Sequence, residues 1–488
     1  MECGYWKIAN AERGRSMGMV VTQRLAAMWD SRKSRKKGNL GPMTSGNVYR
    51  QIILFGIPLL LSNVFQLLYN TTDSVVVGNY ANSIALAAVG ASTPIINLFI
   101  NFFVGLSAGA GVVIATYYGA KDAEMTGKAV HTFMLFSVFT GVLFSILGLT
   151  FADGLLKWIA VPQDVFPQAH QYLSCYYVGN VFVIICNAGT GILQAVGDSR
   201  HPLYYLGASA AINIALDVLF VGSFAWGVAG AAWATVISQA ISMAFVLHRL
   251  ICADDSYRIV LSNLRISWRI LKRIIWIGVP AGAQQVIVSF SNVLVQSYVN
   301  SFGSAAIAGY AASNKFDILL IVPANSFGIA AMTFTGQNIG ARKFERVREG
   351  IRASIVVSAA AVIAMSFVTF FGSDWCISLF SQDQPVIDAG AKLLRITSPF
   401  YFLLCFHQVF TGVLRATGRS YAPMVTATLS YVVYRQVLLA VMLPIVHDTA
   451  VIGWGFSSAW VIGTLLVYLY YRMSKPLEKE QAKYRPGV

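Results

Sequence analysis

One carboxylate interrupts an otherwise apolar stretch near the middle of the chain. The stretch SAAINIALDVLF, residues 209–220, contains Asp217 and, four residues earlier, Asn213. On a helix this spacing places both side chains on one face, where both present oxygen atoms. In hydrocarbon surroundings an ionised Asp is costly unless it is hydrogen-bonded, paired with a cation or neutralised by a proton. The chemistry predicted for Asp217 is therefore cation or proton binding, and the alternative is a structural hydrogen bond.

The composition indicates that this stretch lies in a membrane. Of 488 residues, 56% are hydrophobic and only 12% are charged, whereas about a quarter of the residues of a soluble domain are charged. The net charge of +15 comes from basic residues in short segments between apolar runs, so no nucleic-acid partner is expected. The six Cys residues are scattered, without a CxxC pair, and neither disulfides nor metal fingers are predicted.

Twelve apolar runs are long enough to cross a hydrocarbon core of about 30 Å. They predict spans near residues 51–79, 85–118, 128–150, 167–195, 202–222, 227–250, 271–300, 305–339, 350–371, 387–415, 421–446 and 450–472. Most of the 36 Lys and Arg residues lie before the first run, after the last, or in alternate connections, among them Arg415 and Arg419 after the tenth run. Because short basic loops stay in the cytoplasm, both termini are predicted to be cytoplasmic.

The two halves of the chain resemble each other. IILFGIP at 52–58 returns as IIWIGVP at 274–280, YGAKDAE at 118–124 as IGARKFE at 339–345, and TGILQAVGDSRHPL at 190–203 as TGVLRATGRSYAPM at 411–424. Six spans per half give both halves the same orientation, as in parallel repeats about an axis along the membrane normal. The sequence therefore predicts an all-α integral membrane protein with twelve transmembrane helices in two six-helix bundles.

These boundaries divide the chain into five parts. We expect a basic cytoplasmic tail, an N-terminal bundle, a cytoplasmic linker, a C-terminal bundle and a second tail, at residues 1–45, 46–250, 251–270, 271–472 and 473–488. The first 45 residues lack the continuous apolar core of a cleavable signal peptide. Gly105, Gly109 and Gly111 in the second span are expected to let helices approach closely.

The order of motifs resembles the multidrug and toxic compound extrusion transporters, in particular the bacterial branch related to the DNA-damage-inducible efflux proteins. The resemblance covers residues 43–472 and rests on IPLLLSNVFQLLYNTTDSVVVG, YYGAKDAEM, GQNIGARKFERV and the paired turns LQAVGDSRHP and LRATGRSYAP. It implies a monomer in the bacterial inner (plasma) membrane that needs no cofactor. It also implies export of organic cations and other amphiphilic compounds by alternating access, in exchange for protons or sodium ions.

The resemblance extends the site around Asp217. Asp73 in the first span and Thr235 in the sixth match family positions, so that Asp73, Asn213, Asp217 and Thr235 are expected to form an ion-binding cluster. Four oxygen-bearing side chains, two of them acidic, suit sodium, whereas two close carboxylates suit a shared proton. Both coupling ions stay open at this point.

The C-terminal half lacks these acids. The repeat places Leu438 at the position of Asp217 and Val295 at that of Asp73, so a second ion site is not expected there. Its intramembrane polar residues are candidates for lining a substrate cavity, namely Gln284, Asn292, Asp317, His407, Gln408 and Arg435. Asp317 is expected either to attract a cationic substrate or to pair with Arg435.

Other functions lack their motifs. The sequence contains no GxxxxGK[ST] and no HExxH, and its GxSxG match, GLSAG at 105–109, lies inside an apolar span instead of at a strand-to-helix elbow. Neither an ATP-driven pump nor an enzyme is therefore predicted. A lipid or lipid-linked oligosaccharide flippase of the same superfamily is the alternative, and its cavity would carry several Arg or Lys residues for a pyrophosphate group. Away from the ends of the predicted spans, the only Lys and Arg residues are Lys315, Arg395 and Arg435. The expected partners are therefore small cationic or amphiphilic substrates and membrane lipid.

Overall fold

The structure, a computed structural model, describes residues 43–484 except Asn82. No strand occurs within these residues. The predicted twelve spans are confirmed, since twelve helices are long and apolar enough to cross a membrane: Val48–Tyr80, Ile84–Gly119, Ala123–Trp158, Phe166–Ala195, Arg200–Ser223, Gly227–Ile251, Trp268–Asn300, Ser304–Gly340, Phe344–Phe371, Gln384–Ala416, Tyr421–Ile445 and Ala450–Ala482.

The third and twelfth spans extend furthest beyond their expected ends. The third begins directly after Asp122, whose side chain accepts a hydrogen bond of 3.0 Å from the backbone N–H of Met125 and so caps the helix. The twelfth turns at Lys475, which has a φ of 43°, and continues as the short helix Pro476–Ala482 with Leu477 buried. Part of the segment expected as a C-terminal tail is therefore helical, while most of the predicted tail at residues 1–45 lies outside the described residues.

Three spans change their helical geometry along their length. The fifth is an α-helix over Arg200–Asp217 that continues as a π-helix over Val218–Ser223. The eleventh contains a π-helix over Thr428–Tyr434, directly before Arg435, and the tenth contains a single 3₁₀ turn at Ser398–Phe400. Wider π-turns commonly mark functional positions in helices. Here they adjoin the two charged residues Asp217 and Arg435.

The backbone repeats the two-fold similarity seen in the sequence. Lys121 and Arg342, at matching positions of the repeat, both adopt a left-handed conformation, with φ of 59° and 58°. Gly197 and Gly418, also at matching positions, have φ of 92° and 76°. The helix ends therefore turn in the same way in both halves, and the fold consists of two six-helix bundles related as parallel repeats.

The two bundles pack closely through the second and seventh spans. A Cβ atom added to Gly105 would lie 2.1 Å from the backbone nitrogen of Gly282, and one added to Gly109 would lie 2.6 Å from the Cα atom of Gly278. Both contacts require glycine, as predicted. The same expectation is wrong for Gly111, where an added Cβ would meet no atom within 4 Å, because that face of the helix turns away from the neighbouring span.

One end of the molecule carries the turns at residues 119–123 and 340–344 and the connection 251–267, and we call it the basic end. Here the segment before the first span docks on the C-terminal half. The Met43 N–H donates to Gln337 Oε1 at 2.7 Å, Asn338 Nδ2 donates to the Met43 carbonyl at 3.1 Å, and Lys343 Nζ donates to the Thr44 carbonyl at 2.6 Å.

The connection between the halves makes the reciprocal contact with the third span of the N-terminal half. The Val260 N–H donates to His131 Nε2 at 2.9 Å, and the Ser267 N–H donates to Thr132 Oγ1 at 3.1 Å. Tyr257 in the same connection is 2% exposed. The segment that precedes the first helix of each bundle is therefore bound to the opposite bundle.

Candidate ion cluster and polar sites

The four residues of the predicted ion cluster come from three spans of the N-terminal bundle. Asp73 lies in the first span, Asn213 and Asp217 in the fifth, and Thr235 in the sixth. All four are buried, and the exposed fraction of both Asn213 and Asp217 is 0%. The fifth span packs against the first and the sixth, and this packing brings the Asp73 carboxyl within hydrogen-bonding reach of the Asp217 carboxyl.

The ion cluster has unsatisfied hydrogen-bonding capacity. Two carboxylates cannot donate to each other, and both oxygens of Asp217 and Oδ1 of Asp73 lack a donor within the described chain. The amide nitrogen and oxygen of Asn213 are also buried and unpartnered there. Buried polar groups in native proteins are nearly always satisfied. A proton between the two carboxyls, or a cation among these oxygens, is the chemistry that satisfies this arrangement.

Aromatic and amide residues that the sequence reasoning missed surround the ion cluster. Tyr69 precedes Asp73 by four residues, and its hydroxyl faces the Thr235 side chain without closing a hydrogen bond of normal geometry. Tyr172 in the fourth span lies beside the two acids and is 5% exposed, and Asn180 of the same span is 1% exposed. The four-residue spacing from Asp73 was a signal for Tyr69, whereas the two residues of the fourth span carried none.

In the C-terminal half, Asp317 does not pair with Arg435, which was one of the two roles expected for it. The Tyr401 hydroxyl donates to Asp317 Oδ1. Arg435 Nη2 donates to Ser291 Oγ and Asn292 Oδ1, each at 2.8 Å. Asp317 lies in the eighth span, and its partner Tyr401 lies in the tenth. Arg435 lies in the eleventh span, and both of its partners lie in the seventh.

The other C-terminal candidates make their contacts within the same bundle. Gln284 Oε1 accepts a hydrogen bond of 2.7 Å from Arg415 Nη2, and Gln408 donates to Asn325. His407 is 2% exposed, and its Nε2 has no hydrogen-bond partner among residues 43–484. The expectation that Arg415 lies in a loop is wrong, because Arg415 belongs to the last turn of the helix Tyr401–Ala416 and points to the seventh span.

Comparison with known proteins places these two bundles in a wider group. The family model described as MatE matches residues 58–219 and 280–441, one segment in each half. The chain is 31% identical to the "Probable multidrug resistance protein YoeA" of Bacillus subtilis over 438 residues, which cover 87% of this chain and 94% of that protein. It is 26% identical to the "Probable multidrug resistance protein YpnP" of the same organism, over 88% of this chain and 96% of that protein.

The fold has counterparts among solved structures. A crystal structure of MATE in the bent conformation superposes with a TM-score of 0.84 at 23% identity, over 90% of this chain and 98% of that one. Its counterpart in the straight conformation superposes with the same TM-score and identity. At this identity the superposition establishes the fold.

Proposed function

Because the chain belongs to the MatE family of multidrug efflux transporters, we propose that it exports organic cations or other amphiphilic compounds in exchange for protons or sodium ions. The observation that carries this proposal is the pair Asp73 and Asp217. Two acids lie side by side in a membrane-spanning bundle, and no Lys or Arg of the described chain forms an ion pair with either. Such a pair binds a positive charge only from outside the protein.

The ion cluster supports both coupling ions. One proton would turn one carboxyl into a donor, so that the two acids share a hydrogen bond. A sodium ion would take oxygen ligands from Asp73, Asn213, Asp217 and Thr235, since hard cations prefer oxygen. In either case the positive charge removes the repulsion between two buried carboxylates.

Exchange follows if the two states of the ion cluster favour different packings of the N-terminal bundle. A ligand shifts a conformational equilibrium only by its difference in affinity for the two conformations. Arrival of the ion from outside compensates one of the two negative charges of the pair and favours the packing that releases substrate, and loss of the ion to the cytoplasm resets it. The π-helix that begins directly after Asp217 gives the fifth span a second hydrogen-bonding pattern at this position.

The proposal includes an orientation. The basic end faces the cytoplasm of a bacterial cell, with both termini on that side of the plasma membrane. The support is the concentration of Lys and Arg residues there, since positively charged loops are retained in the cytoplasm.

The experiment is substrate flux in proteoliposomes of the purified protein. A panel of cationic and amphiphilic dyes is followed under a proton gradient alone, a sodium gradient alone and no gradient. Protein-dependent flux that requires one of the two gradients supports the proposal and names the coupling ion. Flux that is the same with and without both gradients would contradict the proposal. Transport of a fluorescent lipid without transport of any dye would contradict it as well.

A further inference from the structure

We propose that the C-terminal bundle holds a binding site for an anionic group, a carboxylate or sulfonate, on the transported amphiphile. The site is formed by a set of residues that we call the arginine cluster, namely Gln284, Ser291, His407, Arg415, Tyr431 and Arg435. This inference rests on the proposed export of amphiphiles, because it specifies a chemical group that the substrate carries.

Arg435 is a buried cation without an anion. It is 3% exposed, its guanidinium lies 4.6 Å from the centre of the Phe456 ring, and its hydrogen bonds go to neutral oxygens of Ser291 and Asn292. Its Nε is buried and has no acceptor in the described part of the chain. A buried charge is costly unless an opposite charge compensates it. This guanidinium therefore has an unpaired Nε–H donor and an uncompensated positive charge, both of which an anionic ligand would satisfy.

Arg415 repeats this situation at the other end of the arginine cluster. Its Nη2 donates to Gln284 at 2.7 Å, while its Nε is buried and finds no acceptor within residues 43–484. Asp317, the acid of this bundle, pairs with neither arginine and instead accepts a hydrogen bond from Tyr401. Two arginines thus face the interior of this bundle, and the described residues provide no carboxylate to pair with them.

A continuous polar surface links the two arginines. Gln284 and Ser291 lie two turns apart on the seventh span, which corresponds to about 10 Å along the helix axis. His407 neighbours Arg415 and packs on the Tyr431 ring, with 5.2 Å between the ring centres. Several buried atoms of this surface have no partner in the described chain, namely His407 Nε2, Thr411 Oγ1, Tyr431 Oη, Arg415 Nε, Arg435 Nε and Gln436 Oε1.

The position of the arginine cluster corresponds to that of the ion cluster. Ser291 occupies the repeat position of Tyr69, so both clusters lie between equivalent spans, the seventh and eleventh in one half and the first and fifth in the other. The ion cluster carries two acids and the arginine cluster two bases. By the repeat, Arg435 corresponds to the residue after Asn213 and so lies at the level of the two acids, whereas Arg415 lies nearer the basic end. An amphiphile with an anionic group is complementary to the charge of the C-terminal bundle.

The chemistry of arginine favours this class of ligand. A guanidinium donates two parallel hydrogen bonds to a carboxylate or sulfonate and is more readily desolvated than an ammonium group. Phe456 and Tyr431 next to Arg435 supply aromatic surface for the apolar part of the ligand. A neutral analogue of the same shape would lack the group that the two arginines bind.

The test is binding to the full-length protein in lipid nanodiscs, measured against empty nanodiscs. The probes are 8-anilinonaphthalene-1-sulfonate, which is anionic, N-phenyl-1-naphthylamine, which has nearly the same shape without the charge, and ethidium, which is cationic. The variants are Arg435→Gln, Arg415→Gln and Arg435→Lys, and the latter keeps the charge but loses the two-point geometry. Arg395→Gln is the matched control, because Arg395 is exposed and pairs with Asp374.

We expect Arg435→Gln and Arg415→Gln to weaken binding of the sulfonate by about tenfold or more, the size of one lost charged hydrogen bond. Arg435→Lys should lie between the wild type and Arg435→Gln, and Arg395→Gln should bind like the wild type. Binding of the neutral analogue and of ethidium should stay unchanged in all variants.

Two results would overturn the inference. Equal weakening of all three probes would assign the arginines a structural role, and wild-type binding of the sulfonate by both Gln variants would show that the arginine cluster holds only water. Gradient-driven ethidium flux by the same preparations separates the two proposals. Absence of that flux in the wild type would contradict the exporter, while the binding comparison would still decide the anion site.

Discussion

Gly119 and Gly340 occupy reciprocal positions where the two bundles meet at the basic end. A Cβ atom on Gly119 would lie 2.0 Å from the carbonyl oxygen of Gln337, and one on Gly340 would lie 2.0 Å from the carbonyl oxygen of Thr116. The two glycines match in the repeat, as do Thr116 and Gln337. The contact therefore obeys the same two-fold relation as the fold, and the basic end is closed by backbone packing that leaves no room for a side chain.

We predict that Gly340→Ala weakens this closed arrangement. An added methyl group against a backbone carbonyl must displace one of the helices, and overpacking of this kind typically costs about 1 to 3 kcal/mol. The midpoint of thermal unfolding should fall, and amide hydrogen exchange should rise over residues 112–119 and 333–340. Gly111→Ala is the control, since an added Cβ there meets no atom within 4 Å. Identical behaviour of the two variants would show that the contact does not hold the bundles together.

We predict that Asp217→Asn abolishes coupling while the protein still inserts and folds. The amide cannot ionise, and beside an ionised Asp73 it leaves the single negative charge of the ion-bound pair, so that state no longer requires an ion from the gradient. The ratio of flux with and without the gradient should fall by about tenfold or more, within the usual range of coupling free energies. Flux in proteoliposomes at matched protein content measures it.

Leu438→Asn is the matched control for this variant, because Leu438 holds the equivalent position in the repeat. It places the same amide in the other bundle and should preserve coupling. Export by Asp217→Asn that still depends on the gradient as in the wild type would reduce Asp217 to a structural role.

We predict that Asp317→Asn slows the transport of cationic substrates but keeps its dependence on the ion gradient. The Asp317 carboxyl lies in the C-terminal bundle and bonds to Tyr401, away from the ion cluster. Loss of its charge should reduce flux of such substrates by roughly tenfold, equivalent to a charged hydrogen bond of about 1.5 kcal/mol. Tyr401→Phe keeps the acid and is compared in the same assay. Complete uncoupling by Asp317→Asn would show that the ion site lies in the C-terminal bundle and not at the ion cluster.

We predict that single cysteines at Ser223, Ser301 and Gln382 react from outside the cell with a membrane-impermeant thiol reagent. Cysteines at Lys128 and Arg348 should react only after the membrane is permeabilised. Replacement of the native cysteines provides the background, and all five positions are exposed. The reverse labelling pattern would invert the proposed orientation and with it the direction of transport.

The sequence by itself determined the number and order of the spans and their relation as two repeats. Within hydrocarbon, every backbone hydrogen bond must be satisfied inside the segment, so an apolar run of sufficient length becomes a helix whatever its neighbours are. The turns at Lys121 and Arg342 follow the same logic, since matching sequences ended their helices in the same conformation. Asp217 was likewise identifiable from its own surroundings in the sequence.

Only the tertiary structure decided which polar residues meet. The rotation and relative depth of different spans decide which side chains meet. Three such contacts are Asp73 with Asp217, Asp317 with Tyr401, and Arg415 with Gln284. Hydropathy fixes neither quantity, because tilt and rotation are set by packing between helices. For that reason the residues around Asp217 predicted an acid that needs a cation and the family resemblance supplied Asp73, whereas the packing of the spans showed that the two carboxyls meet.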